Sequence, residues 1–187
     1  MLPLQLDVPM LIHRFWMGDR PLRLEPWLGR CLVSLNGGSE LRDWTLKTIP
    51  VDYLKFLDDN QVCETDAYKH SANIVRLLLL WDYGGAWYDY DVIPLLPVSQ
   101  LPVPSVGSHQ GLCNSFMNFE KKDERIERAL NAILEQPHSD SPASLVSGSE
   151  FLRDFLDGVH HLEYPFSPLG TVLHGSRPFA VHLGGST

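Results

Sequence analysis

The sequence predicts an α/β fold, with helices packed on a mixed central sheet. Three observations carry that expectation. Strand-like and helix-like segments alternate along the chain. Hydrophobic residues make up 44% of the 187 residues, enough for a sizeable core. The clearest helical pattern runs into a glycine pair and then into a strand rich in aromatic residues. The length suggests one domain over residues 1–187.

The elements follow in order. Residues 9–16, PMLIHRFW, read as a buried first strand with polar intrusions at His13 and Arg14, and GDRP breaks it. Residues 25–35 read as a short helix stopped by NGG. Residues 43–49 alternate as a second strand, and VDYLKFLDD reads as a short helix. From about Thr65 to Tyr83, Ile74, Leu77, Leu78 and Trp81 fall at the spacing of one helix face. Thr65 or Asp66 suits its start, and Gly84 its left-handed end. AWYDYDVI then reads as a strand, and the proline-rich residues 94–104 as an irregular connector. Strands are expected near 104–109 and 114–119. A helix follows over KKDERIERALNAILEQP, with Ile126, Ala129, Leu130 and Ile133 inward and Pro137 as its stop. SLVSGSEFLRDFLDGV reads as one more helix, His160 and His161 as a loop, and PFAVHL as a last strand.

Composition removes several classes of function. The net charge of -8 argues against broad nucleic-acid binding, which needs a basic face. Cys31, Cys63 and Cys113 are far apart and form no CxxC pair, so neither a zinc knuckle nor a disulfide framework is expected. The N-terminus lacks a basic leader, and IVRLLLLW is too short to span a bilayer. A cytoplasmic protein with free thiols is the resulting expectation.

The chemistry concentrates in YGGAWYDYDV, residues 83–92. In extended chain, residues i and i+2 point to the same side, so Asp89 and Asp91 would lie together. Such a pair suits a hard divalent cation, Mn2+ or Mg2+, shared with substrate phosphates. A phosphoryl-transfer site and a solvated acidic turn are the other readings. Arg76 sits on the apolar helix, where a cation is costly without a partner, and Asp89 is one candidate for that partner.

The longer segment SANIVRLLLLWDYGGAWYDYDVIPL resembles the DXD-containing sugar-transferase region of glycosyltransferase family 32, and more distantly the large clostridial glucosylating toxins. Arg76, Gly84, Gly85, Asp89 and Asp91 keep the family spacing, with Tyr88 shifted to a more variable position. LIHRFWMGD is similar to the family's opening strand, and AVHLGGS to a closing motif of related enzymes. The resemblance implies a GT-A-type nucleotide-binding sandwich and a retaining, metal-dependent transfer of sugar from a nucleoside diphosphate, with UDP favoured. It implies Asp89, Asp91 and Arg76 as catalytic residues, and Asp89, Asp91 and His182 as metal ligands. Trp16 would stack on the base, and Phe15, Asn73, Arg76, Tyr88, Asp89 and Ser186 would complete the donor site. Asn114 falls where the family carries an asparagine facing donor or acceptor. Asn73 departs from the family, which has Asp at that position, and VSGS replaces a T-G-P turn.

The acceptor stays open among a glycan, a protein side chain, a lipid-linked sugar and a modified nucleic-acid base. A partner or a homo-oligomer is expected to complete the acceptor surface. Two rival functions remain in view. One is a nucleotide-sugar-binding module without turnover, suggested by Asn73. The other is a phosphatase of the haloacid-dehalogenase type, with Asp89 as nucleophile, although that family needs its motif near the N-terminus and a later acidic pair.

Overall fold

The computed structural model describes residues 10–17, 30, 32–35, 39–59, 67–108, 111–135, 142–163 and 180–182. The strands are β1 (Leu11–Trp16), β2 (Glu40–Thr45), β3 (Gly85–Tyr88), β4 (Val92–Pro94), β5 (Ser105–Ser108), β6 (Leu112–Phe119), β7 (His160–Glu163) and β8 (Ala180–His182). The helices are α1 (Val51–Asp59), α2 (Ala67–Tyr83), α3 (Glu124–Glu135), α4 (Ala143–Val146) and α5 (Ser149–Leu152). Six strands form one sheet in the order β2-β1-β3-β6-β5-β7, and β4 pairs with β8 in a second, two-stranded sheet. β1 runs parallel to β2 and β3, β6 runs antiparallel to β3 and β5, and β7 runs parallel to β5. The expected α/β class with a mixed central sheet is therefore the observed one.

Side chains alternate across this sheet and build a core on each face. In β3, Trp87 joins the cluster made with α1, α2 and α3, while Ala86 and Tyr88 join the opposite cluster with Ile12, Leu32, Val98 and Phe116. α2 carries no Gly or Pro across its length, and Ile74, Val75, Leu77, Leu79 and Leu80 are fully buried. β1 lies between β2 and β3, so the chain leaves it toward one side and returns on the other. Crevices form at the carboxyl ends of parallel strands flanking such a reversal. Here those ends are Trp16 on β1 and the residues that follow Tyr88 on β3.

The junction of α2 with β3 is sterically exacting. Gly84 has φ +66 and Gly85 φ +91, both in the left-handed region. A Cβ on Gly84 would lie 2.5 Å from the Lys121 backbone nitrogen, and one on Gly85 would lie 2.3 Å from the Leu11 carbonyl oxygen. The Gly84 amide donates to the Leu80 carbonyl at 2.8 Å and closes the helix. His13 then pins the turn. Its Nδ1 accepts from the Trp44 indole at 3.1 Å, so Nε2 carries the proton and donates to the Gly84 carbonyl at 2.9 Å. Burial holds the His13 pKa down, to about 4.

Several boundaries differ from the sequence-based expectation. β2 ends at Thr45, and the Thr48 and Ile49 amides fold back onto the Thr45 carbonyl, so residues 46–49 turn where a strand was expected. The strand expected over residues 86–93 is two strands separated by a turn, because the Val92 amide folds back onto the Asp89 carbonyl at 3.1 Å. The helix expected over 144–159 is two single turns, α4 and α5. The chain leaves the helix at Ser147, whose hydroxyl bonds back to the Ala143 carbonyl, and the Gly148 amide closes the helix end by donating to that same carbonyl, five residues back, at 2.8 Å. His160 and His161 belong to strand β7, paired with β5, and not to a loop. Most of the helix expected over 25–35, with its NGG stop, lies outside the described residues; residues 32–35 are helical. Among the described residues no helix is long and apolar enough to cross a membrane.

Two predictions follow from the α2–β3 junction. Gly85→Ala should destabilise the protein by about 2–4 kcal/mol in urea titrations, since positive φ and a backbone clash act together; an unchanged midpoint would mean the clash is relieved. The buried His13 is neutral while the unfolded chain takes up a proton as pH falls below 6.5. Its contribution is complete above that pH and disappears as pH falls toward about 4. Wild type should therefore lose on the order of 3 kcal/mol across that window relative to His13→Gln, compared by urea melts at each pH. Parallel pH profiles for the two proteins would contradict this.

Candidate functional site

His70, Asn73 and Arg76 follow one another at three-residue intervals along α2, so they share one stripe of the helix. Arg76 is 4% exposed, and a buried guanidinium needs partners. Its Nη2 donates to Asp89 Oδ1 at 2.7 Å and its Nη1 to Asn73 Oδ1 at 3.2 Å. The guanidinium also lies over the Trp87 ring, 4.8 Å from its centroid. Trp87 Nε1 donates to the same Asp89 oxygen at 2.6 Å. Two donors thus converge on Oδ1, and neither uses Oδ2. The Asp89 side chain keeps 29% of its surface exposed. β6 closes the arrangement, because the Ser115 carbonyl accepts from the Asp89 amide at 2.8 Å.

Asn73 is the second node. Its Oδ1 also accepts from Asn114 Nδ2 at 3.1 Å, and its Nδ2 donates to Ser147 Oγ at 3.3 Å. His70 Nδ1 lies 2.8 Å from the same hydroxyl. The break between α4 and α5 therefore delivers Ser147 to the polar stripe of α2.

Asp91 does not stand beside Asp89 in extended chain. Asp89 to Val92 is a turn, with Tyr90 and Asp91 at its two central positions. The i, i+2 argument therefore does not describe this pair. Asp91 is half-buried at the turn. Tyr90 is held from three sides. The Arg14 guanidinium lies 4.4 Å from its ring centroid, Trp16 meets it edge-on at 5.9 Å, and its hydroxyl donates to Asp43 Oδ1 at 3.3 Å. Arg14 in turn pairs with Asp43 at 2.7 Å.

The remaining sequence candidates fall as follows. Trp16 is half-buried at the carboxyl end of β1, beside the Asp89 turn through its contact with Tyr90. Phe15 points to the other face and is buried in the core with α2. Tyr88 is 0% exposed and packs on Phe116 with centroids 4.9 Å apart, so its ring is core and not an open contact surface. Burial raises its pKa. The backbone of His182 is the register partner of Val92, one residue beyond Asp91. Ser186 lies outside the described residues.

The donor set fits a hard cation only in part. Asp89 Oδ2 and the Asp91 carboxylate are oxygen donors suited to Mn2+ or Mg2+. Among the described residues, however, no group of three or more His, Cys, Asp or Glu side chains is placed to hold a metal. Two carboxylates suit an ion that takes its other ligands from substrate phosphate and water.

With this geometry in place, the chain can be set beside known proteins. Residues 29–110 match the family described as "Glycosyltransferase sugar-binding region containing DXD motif". That segment, under half of the chain, holds Asn73, Arg76, Asp89 and Asp91. No curated protein matches the sequence closely. Among solved structures, the chain is similar to the PaToxG glycosyltransferase, with TM-score 0.63 and 15% identity over 79% of this chain and 68% of that one. At that identity the likeness shows the fold, which is of the GT-A type. The chain thus contains a segment similar to a DXD-type sugar-binding region, within a fold like that of a glycosyltransferase.

The sequence reading did not single out Trp87, Ser147, His70 or Tyr90. Trp87 was findable, since it precedes Asp89 by two residues on one strand face. Ser147 lies in the VSGS segment set against a T-G-P turn, but its bond to Asn73 was hidden because the two lie far apart in sequence.

Arg76 and Asp89 should be energetically coupled. In a double-mutant cycle of Arg76→Met and Asp89→Asn, urea melts should give a coupling of roughly 1–3 kcal/mol, reduced from a fully buried pair by the exposure of Asp89. Strict additivity would show that the pair contributes no net stability.

Proposed function

We propose that this chain is a metal-dependent, retaining glycosyltransferase using a nucleoside-diphosphate sugar, UDP favoured, as donor. The observation that carries the proposal is the joined polar cluster of Arg76, Asp89, Asn73 and Asn114 at the carboxyl ends of parallel strands. Most of it falls in the segment that matches a sugar-binding region.

The residues divide the work by position. Asp89 Oδ2 and Asp91 would hold Mn2+ or Mg2+ together with diphosphate oxygens, and His182 is the further candidate ligand. When bound, the cation stabilises the negative charge that grows on the leaving diphosphate. Arg76 and Trp87 fix the orientation of the Asp89 carboxylate through Oδ1, as outer partners of a ligand do. Trp16 offers its flat indole to the base. Asn73 and Asn114, joined to Arg76 through the Asn73 carbonyl oxygen, would meet the sugar. Retention requires no protein nucleophile when donor and acceptor meet on one face, and a leaving phosphate oxygen then takes the acceptor proton. The phosphatase alternative needs an Asp89 carboxylate free to attack. Two donors engage Oδ1 and leave Oδ2, so what weighs against that alternative is the fold likeness, which is to a glycosyltransferase.

A second reading, donor binding without turnover, is favoured by Asn73, where the resembled family carries Asp. One experiment separates the two. UDP-glucose should raise the melting temperature in Mn2+ and not in EDTA, and UDP should be released on incubation. Asp91→Asn should abolish that release while the circular dichroism spectrum stays unchanged. Equal thermal shifts in EDTA would remove the cation from the site. A metal-dependent shift with no UDP release, over a panel of acceptors, would select the binding-only reading.

A further inference from the structure

The amide of Asn73 has only one arrangement open to it. Arginine is a donor at every nitrogen, so the Asn73 atom that meets Arg76 Nη1 at 3.2 Å must be the oxygen. That oxygen also accepts from Asn114 Nδ2 at 3.1 Å, which occupies both of its lone pairs. The nitrogen is thereby turned to Ser147 Oγ and gives it one hydrogen at 3.3 Å. Ser147 cannot drift, because its hydroxyl also meets His70 Nδ1 at 2.8 Å and the Ala143 carbonyl at 3.3 Å. One capacity of the Asn73 side chain remains. The second amide hydrogen has no partner among the described residues, and Asn73 is only half-buried.

We infer that Asn73 presents a hydrogen-bond donor to the sugar of the donor substrate and selects a sugar oxygen that has only to accept. An aspartate in this place would offer two acceptors and no hydrogen, and would therefore require a hydroxyl that donates. The polarity of the contact is reversed in this chain, and Ser147 with His70 sets the reversal. The matching substrates are nucleotide sugars whose contacted position carries an ether, carbonyl or carboxylate oxygen as readily as a hydroxyl. Sites that hydrogen-bond one specific group discriminate strongly, because a mismatch leaves a polar atom unpaired. This inference rests on the donor-site reading above.

The test is calorimetric binding of UDP, UDP-glucose and the monodeoxyfluoro UDP-glucose analogues to wild type and Asn73→Asp, with saturating Mn2+. Fluorine keeps a weak acceptor and removes the hydrogen that a hydroxyl donates. At one ring position, fluorine should weaken the variant about tenfold more than wild type, each loss being measured against the same protein's affinity for UDP-glucose. Equal fluorine penalties at every position would overturn the inference and leave the donor site intact. Asn73→Ala gives an independent check, should the Asp variant fold poorly. It should bind UDP-glucose about fivefold more weakly with UDP unchanged, and an unchanged UDP-glucose affinity would overturn the inference. Absence of both UDP and UDP-glucose binding to wild type would instead overturn the donor-site reading, and this inference with it.

Discussion

The turn at Gly84 and Gly85 is the constraint on which the site depends. Both residues take positive φ, and both lie too close to neighbouring backbone for any side chain. That closeness brings the end of α2 directly onto β1 and onto the start of the loop after β6. The helix axis is then fixed relative to β3, and Arg76, two turns before the helix end, meets Asp89 just beyond the strand. His13 reinforces the junction from β1 with a proton whose place is set by Trp44. A neutral imidazole is needed here, since a charged one would lose its acceptor for the indole and stand unpaired among apolar side chains.

A buried guanidinium next to one carboxylate is a compromise in energy. Arg76 gains an ion pair, a ring face and an amide oxygen, yet its Nε is buried with no hydrogen-bond partner among the described residues. Replacing such a set with apolar side chains is often neutral or stabilising, so fold stability alone does not account for it. What the set achieves is placement. Asp89 is held by its backbone amide, by Arg76 and by Trp87, and its other oxygen stays outside that network. Strain and unmet polar groups of this kind gather where a site must be ready before its ligand arrives.

How far the sequence reveals this depends on the range of each interaction. Arg76 and Asn73 stand out because a polar pair interrupts an apolar helix pattern, and that is local information. The glycine pair is equally plain, as a helix stop. Asp89 and Asp91 are visible as residues but not in their geometry. The turn between them arises when the Val92 amide folds back onto the Asp89 carbonyl, while the Asp89 amide still follows the β3–β6 register to the Ser115 carbonyl, on a strand far along the chain. Ser147 is concealed for a related reason. SLVSGSEFL has helical periodicity, and the closure of the helix by the Gly148 amide on the Ala143 carbonyl is visible only in the structure. β7 escapes notice because His160, His161 and Glu163 are all exposed, so the strand has no apolar face to announce it. Phe15 and Tyr88 show the reverse error. A motif match places them near the chemistry, while strand alternation sends both side chains into the core.

The charge balance around Arg76 gives the neutral Asn73 its meaning. With an aspartate there, the Arg76 guanidinium would face two carboxylates from its own chain, leaving one negative charge to be balanced from outside. With asparagine, Arg76 and Asp89 balance each other, and Asp91 is a further carboxylate at the turn. An arriving diphosphate then meets less like charge, while a free divalent cation meets less attraction than a doubly acidic pocket would offer. On the proposed reading, nucleotide and cation are therefore best bound as a unit, each supplying charge that the other needs. The same substitution that removes a charge supplies a hydrogen, and Ser147 and His70 hold that hydrogen in one direction. Loss of the acid is thus not simple decay of a site. The neighbours of Asn73 satisfy its carbonyl twice and its amide once, an arrangement that fits an amide better than a carboxylate.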